Sequence, residues 1–331
     1  MKAVVCRSFG LENAAVQEVA APAMTPDGVR IAVASAGVSF ANLLVIDGKH
    51  QNRWEPPFTP GTEVAGVVVE CGPQAHLFKK GERVLASIRT GGFAQEVVAP
   101  ECNVFKLPDV VDFDTAVHFP TIYATAYAAL VWRAAIQPGE VLLVHGAAGG
   151  SGLAAVEIGK QLGARVIATA GSEGKTEAVL AHGADLAINY RNEDFRDLVL
   201  EATQGRGADV IFDPVGGAIF DTSLRCIAPD GRIIPMGFAS GTIPQIPANI
   251  LLVKNVTAIG LYWGYYMGWG RQPPAPGVSE RVRAAFDELL GWAASGRLRP
   301  ETYGVFELAD FAQALGLISS REVIGRVALH P

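Results

Sequence analysis

The chain has 331 residues, half of them hydrophobic and 18% charged, a composition that excludes a disordered or fibrous protein. Its length predicts about two domains. Lys+Arg 27 against Asp+Glu 33 leaves a net charge of -6, so the chain offers no basic field to a polyanion and nucleic acid is not expected as a main partner.

Residues 1–6, 29–34, 63–70, 83–86 and 94–98 are short apolar runs separated by turn residues, and they predict a β-rich first domain. The apolar run after Lys2 stops at Arg7, too short for the core of a signal peptide, so a cytoplasmic location is expected. From about 139 the texture changes to strands alternating with helices. Strand 140–145 leads through a Gly-rich turn to helix 153–162, and strands 165–170, 185–189, 209–213, 232–237 and 256–261 follow. Six such strands predict a complete Rossmann fold, a doubly wound parallel sheet in an α/β chain. A helix at 279–295, a strand at 304–307, a helix at 308–319 and a strand at 326–329 form a tail expected to rejoin the first domain.

The uncharged stretch 233–253 carries Pro235, Gly237, Gly241, Pro244 and Pro247, which would break a spanning helix, so no membrane partner is expected. Cys6, Cys71, Cys102 and Cys226 lie far apart with no CxxC pair. They predict buried thiols rather than a zinc ribbon or a disulfide framework.

The strongest signal is Val141-Leu-Leu-Val-His-Gly-Ala-Ala-Gly-Gly-Ser-Gly152, where Gly146, Gly149 and Gly152 form GxxGxxG between a strand and a helix. Glycines let a backbone approach a pyrophosphate, whose charge is met by amides at the helix N-terminus. The candidate cofactor-binding residues here are Gly146, Ala148, Gly149, Gly150, Ser151 and Gly152. Gly152, Ala155, Gly159 and Leu162 recur at helical spacing and give a face able to lie close to the sheet, and tight packing alone is the plainer reading of the motif. An acidic residue ending the next strand would hold a ribose 2′-hydroxyl, and none stands there. Instead Ile167-Ala-Thr-Ala-Gly-Ser172 is followed by Lys175, a hydroxyl and a cation suited to a 2′-phosphate, which favours NADPH over NADH. The plainer reading of Lys175 is a solvated first-turn lysine. His145 reads as structural.

In this order, Gly37-Val-Ser-Phe-Ala-Asn-Leu-Leu44, Pro60-Gly-Thr-Glu-Val-Ala-Gly66, Gly91-Gly-Phe-Ala94, the Gly-rich turn, Asp213-Pro-Val-Gly-Gly217 and Gly237-Phe-Ala-Ser-Gly241 resemble one family. It is the zinc-independent quinone oxidoreductase branch, zeta-crystallin-like, of the medium-chain dehydrogenases/reductases. The resemblance implies a GroES-like catalytic domain at 1–117, completed by 263–331, and a Rossmann NADPH-binding domain at 118–262. It implies that Ser172, Lys175 and Tyr190 contact the 2′-phosphate, that Thr125 faces the nicotinamide, and that Gly216, Gly237, Phe238 and Ala239 lie in cofactor loops. Phe238 could equally be core. A homodimer is implied as well.

Where zinc alcohol dehydrogenases of this superfamily carry Cys, His and Cys, this chain has Ser39, Thr62 and Thr121, so no metal is expected. Without a Lewis acid, reduction of a quinone or a conjugated C=C is favoured, by hydride transfer in the interdomain cleft to a small, planar, apolar substrate. Common members of the branch read Asn, Asp and Tyr where this chain has Ser39, Asn42 and His50. His50 is a candidate proton donor or a surface-loop histidine, and Ser39 and Asn42 are candidate hydrogen-bonding residues. Tyr262-Trp-Gly-Tyr-Tyr-Met-Gly-Trp269 lines an apolar pocket or belongs to the core or a subunit contact. Two rival functions stand beside the main one: an enoyl-thioester reductase and a catalytically silent NADPH-binding protein.

Overall fold

The structure, a computed structural model, describes residues 1–331 and divides into two compact units. The first comprises Met1–Thr121, Gly264–Gly296 and Glu301–Pro331, and the second Ile122–Trp263 with Arg297–Pro300. In chain order the strands are β1 (Lys2–Cys6), β2 (Ala14–Glu18), β3 (Gly28–Val38), β4 (Glu63–Cys71), β5 (Arg83–Ser87), β6 (Glu96–Pro100) and β7 (Val104–Lys106). They continue with β8 (Val141–Val144), β9 (Arg165–Ala170), β10 (Leu186–Asn189), β11 (Ala208–Asp213), β12 (Ile227–Pro235), β13 (Thr257–Ala258), β14 (Thr302–Glu307) and β15 (Arg326–His330).

In the first unit, β1 and β2 form an antiparallel pair, and a larger sheet runs β14-β15-β3-β4-β5-β7 with β6 also on β3. The C-terminal β15 pairs antiparallel with β3, so the tail completes this sheet. Alternating Val and Ile of β3, β4 and β5 supply Ile31, Val33, Val64, Val68 and Val84 to one core with Phe93, Val97 and Leu329. One ion pair is sealed into this unit: Arg326 binds Glu63 while donating from Nε to Val38 O at 3.0 Å and from Nη1 to Val117 O at 2.9 Å. The guanidinium's hydrogen bonds thus end on one carboxylate and two carbonyls, which is what lets a buried arginine persist.

In the second unit the six strands run β10-β9-β8-β11-β12-β13, all parallel. The chain order reverses between β8 and β11, and that is where an open α/β sheet leaves a crevice at its carboxyl ends. β8, β9 and β11 are apolar runs buried on both faces, as a sheet covered by helices requires, and Leu143, Ile167, Ile188, Ile211 and Ile233 fill the core with Phe195 and Phe220. The strand expected at 256–261 shrinks to Thr257–Ala258, which pairs with Arg232 and Ile233 of β12. No helix is long and apolar enough to cross a membrane. Of the four cysteines, Cys6 and Cys226 are buried, their thiols pushed up to about 11 and about 12 by desolvation, whereas Cys71 is half-buried and Cys102 is exposed. The expectation of four buried thiols is thus corrected at two positions.

Candidate functional site

In the second unit β8 ends at Val144 and the chain turns through Gly146, at φ +55, into the helix Gly150–Gln161. That helix starts three residues earlier than the expected 153, so Gly150, Ser151 and Gly152 form its first turn. Its N-cap, Gly149, contributes no side chain, leaving the first-turn amides for a ligand. A Cβ on Gly152 would lie 2.5 Å from Ala147 Cα and from Gly146 O, so only glycine lets the turn fold this closely onto its own helix. Ala148 is buried beneath the turn and Ser151 is half-buried. Gly152, Ala155 and Gly159 are buried against the sheet, and Leu162 is half-buried. A bare backbone turn, an uncapped helix start and no first-turn acid together fit a pyrophosphate.

The neighbouring strand ends carry the other expected residues. Ser172 is the N-cap of helix Glu173–Ala181, exposed and making no side-chain cap bond, and Lys175 is half-buried in the same helix's first turn. Tyr190 leaves β10 with 43% exposure, its hydroxyl running over Gly171. The structure therefore brings Ser172, Lys175 and Tyr190 to one end of two adjacent strands.

At the end of β11, Asp213 is fully buried and its Oδ1 accepts from Val215 N at 2.8 Å and Gly216 N at 3.0 Å. Those bonds shape the turn in which Gly216 and Gly217 take positive φ. Ala239 N and Ser240 N donate to Pro214 O and Val215 O, so Gly237, Phe238 and Ala239 fold onto that turn. Pro214 and Val215 in turn lie against Gly146. Phe238 is 43% exposed, which corrects its reading as core.

Thr125 sits in a helical stretch, 119–133, whose two π-helical segments flank Ala124–Tyr127, a local widening common at functional sites. Its Oγ1 is buried with no partner, a vacancy for one hydrogen bond. The stretch is tied to the glycine-turn helix by Tyr123 Oη, which donates to Glu157 Oε2 at 2.7 Å; the buried carboxylate also accepts from His182 Nδ1 at 2.7 Å. His145, held at about 3 by burial, is neutral between Thr169 Oγ1 at 2.9 Å and Ser223 Oγ at 2.8 Å, a structural role.

In the first unit, Ser39 is the N-cap of helix Phe40–Ile46. Asn42 Oδ1 accepts from Ser39 N at 2.7 Å and from Ser39 Oγ at 3.0 Å, so the two side chains bind each other. Asn42 is 1% exposed and its Nδ2 has no partner. His50 is half-buried in the turn that follows this seven-residue helix, its backbone N donating to Leu44 O at 3.1 Å. Its Nδ1 accepts from Asn52 N at 3.0 Å, which puts the proton of the neutral ring on Nε2. Burial lowers its pKa from 6.5, against the opposing pull of that contact.

Of the aromatic cluster, Trp263 and Met267 are buried. Trp263 lies 6.2 Å from Trp132, whose ring meets Tyr127 edge-on at 5.9 Å, while Tyr262 is 36% exposed. No group of three His, Cys, Asp or Glu side chains comes together to hold a metal. Sequence reasoning passed over Arg326 and Glu63, although each is a charge opening an otherwise largely apolar strand, and their opposite signs are the signal that pairs them. Through Val38 O, Arg326 fixes the residue preceding Ser39.

Residues 25–109 match the family described as an alcohol dehydrogenase GroES-like domain, and residues 150–274 the family described as a zinc-binding dehydrogenase. The Quinone oxidoreductase-like protein 2 homolog of Nematostella vectensis is 40% identical over 332 residues, covering 99% of this chain and 88% of that protein. The chain belongs to the quinone oxidoreductase family of the medium-chain dehydrogenases/reductases. Human quinone oxidoreductase is 34% identical over 85% of this chain and 91% of its own length. Among solved structures, the Escherichia coli quinone oxidoreductase complexed with NADPH superposes with a TM-score of 0.91 at 26% identity, covering 100% of both chains. The family's GroES-like part and its parallel-sheet part correspond to the two fold types described above.

Proposed function

We propose that the protein is an NADPH-dependent, zinc-free reductase of a quinone or an α,β-unsaturated carbonyl, working in the cytoplasm as a homodimer. The observation that carries the proposal is the hydroxyl and cation set, Ser172, Lys175 and Tyr190, at the strand ends beside a glycine turn built for a pyrophosphate. A relative that is alike over its whole length is complexed with NADPH. Gly146, Ala148, Gly149, Gly150, Ser151 and Gly152 would hold the pyrophosphate through backbone amides. Gly216, Gly237, Phe238 and Ala239 would line the adjoining loops. When bound, NADPH supplies a hydride.

The chain's own residues orient, exclude water and handle the proton. Thr125 Oγ1 offers the unused bond of a buried hydroxyl to a carboxamide. Asn42 Nδ2, buried and unpartnered, offers a donor to a carbonyl oxygen, with Ser39 locking the amide so that Nδ2 and not Oδ1 is presented. For a quinone, one hydride and one proton give the hydroquinone. For an enone the hydride adds to the β-carbon and the proton comes from water or His50 Nε2. Ser39, Thr62 and Thr121 present hydroxyls where zinc-using relatives carry thiolates and imidazole, a poor zinc set. Rate then rests on orientation and desolvation.

The test measures NADPH oxidation by the purified protein against quinones, enones and enoyl thioesters, with NADH and a chelator as controls. Turnover that prefers NADPH and survives the chelator is expected. A marked preference for enoyl thioesters would favour the thioester reductase, and saturable NADPH binding without any turnover would favour the silent binding protein.

A further inference from the structure

We infer that Arg191 is a further specificity-determining residue, supplying a second cation to the 2′-phosphate of the dinucleotide beside Lys175. The inference rests on the NADPH reading and adds to it a residue that sequence spacing did not single out. β9 and β10 are parallel neighbours in register, Asn189 opposite Ala170, so Gly171 and Tyr190 leave the sheet side by side, with Tyr190 N donating to Ala170 O at 3.1 Å. A Cβ on Gly171 would stand 2.6 Å from Tyr190 Oη and 3.6 Å from Arg191 Nε. Both side chains therefore fold back over Gly171, toward the strand end that carries Ser172 and Lys175, and the missing side chain of Gly171 leaves them room.

The backbone of Arg191 is held in this turn by its N–H, which donates to Asn189 Oδ1 at 3.2 Å. The two acids nearest in sequence are occupied locally: Glu193 Oε2 accepts from Asn189 N at 3.0 Å, and Asp194 Oδ1 accepts from Arg196 N at 2.9 Å. The Arg191 side chain is exposed and open to a ligand. A phosphate monoester dianion is matched by this set, a point charge from Lys175, a planar guanidinium fork from Arg191 and hydroxyl donors from Ser172 and Tyr190. A ribose 2′-hydroxyl has no use for two cations, so the arrangement discriminates between the two dinucleotides.

The experiment titrates wild type and Arg191→Gln with 2′,5′-ADP and with 5′-AMP by calorimetry, which reads affinity without turnover. Arg191→Gln should weaken 2′,5′-ADP about tenfold, the size of one charge-assisted hydrogen bond, and leave 5′-AMP unchanged. Gly171→Ala, which must push aside the tip of Tyr190, should weaken 2′,5′-ADP selectively too. An Arg191→Gln protein that binds 2′,5′-ADP as tightly as wild type overturns the inference and leaves the NADPH reading standing. A wild type that binds 2′,5′-ADP no better than 5′-AMP overturns both.

Discussion

His50 shows how burial reshapes a role that residue type alone suggests. Desolvation lowers its pKa below 6.5, so at neutral pH the ring is uncharged and its Nε2–H is a hydrogen-bond donor rather than a strong acid. The imidazolium is the better proton donor and forms as pH falls. If His50 delivers the proton to an enone, kcat rises as pH falls below 6.5, and His50→Gln flattens that rise without changing NADPH affinity. A pH profile identical in the variant assigns the proton to water. The stability effect has the opposite sense. A histidine whose folded pKa lies below its unfolded value costs nothing above 6.5 and destabilises the fold as pH falls below it. Ser39 and Asn42 were visible in the sequence as departures from the family pattern. Their bonding to each other was not, because it depends on the short helix Phe40–Ile46, whose apolar run carries no clear helical period.

At the scale of elements, the glycine turn and its helix were the most legible part of the chain. A four-residue apolar strand, three spaced glycines and a small-residue helix face all point to one backbone geometry, and each signal is local. Gly152→Ala tests that geometry. Its Cβ would meet backbone atoms at 2.5 Å, which cannot move as a side-chain tip can. The variant should lose about 1–3 kcal/mol of stability in denaturant unfolding, as for overpacked sites, and bind NADPH at least about tenfold more weakly. Unchanged binding would mean the turn does not carry the pyrophosphate. Less legible were β2, which has no fully buried residue, β7, which has three residues, and the helical stretch 119–133. That stretch is buried along most of its length and so lacks the polar alternation that marks a surface helix, which is why Thr125 was reached by resemblance and not by periodicity. Phe238 could not be placed from its type, since an aromatic on a ligand loop and one in a core look alike in sequence.

The whole molecule joins two kinds of sheet, one mixed and one parallel, and the sequence showed this as a change in texture near residue 139. The return of the tail to the first domain was expected, but its partner strand was not, because pairing of β15 with β3 joins segments far apart in sequence. The second unit also exposes an edge that supports the proposed homodimer. β13 has β12 on one side only, and Ile243, Ile246, Leu252 and Val253 in the preceding segment are 67%, 43%, 79% and 72% exposed. An open strand edge beside exposed aliphatic side chains suits pairing with a second copy. Light scattering should give twice the 34.9 kDa chain mass for wild type, and Leu252→Asp with Val253→Asp should return it to the monomer. A monomeric wild type would remove the dimer from the account.

The central claim is hydride transfer from NADPH without a metal. Its most direct test uses NADPH deuterated at the transferable position, an enone acceptor and protein exhaustively treated with chelator, and reads the product by mass spectrometry. One deuterium is expected on the β-carbon of the saturated ketone, formed in step with NADPH loss. A product without deuterium, or a reaction abolished by the chelator and restored by zinc, would contradict it.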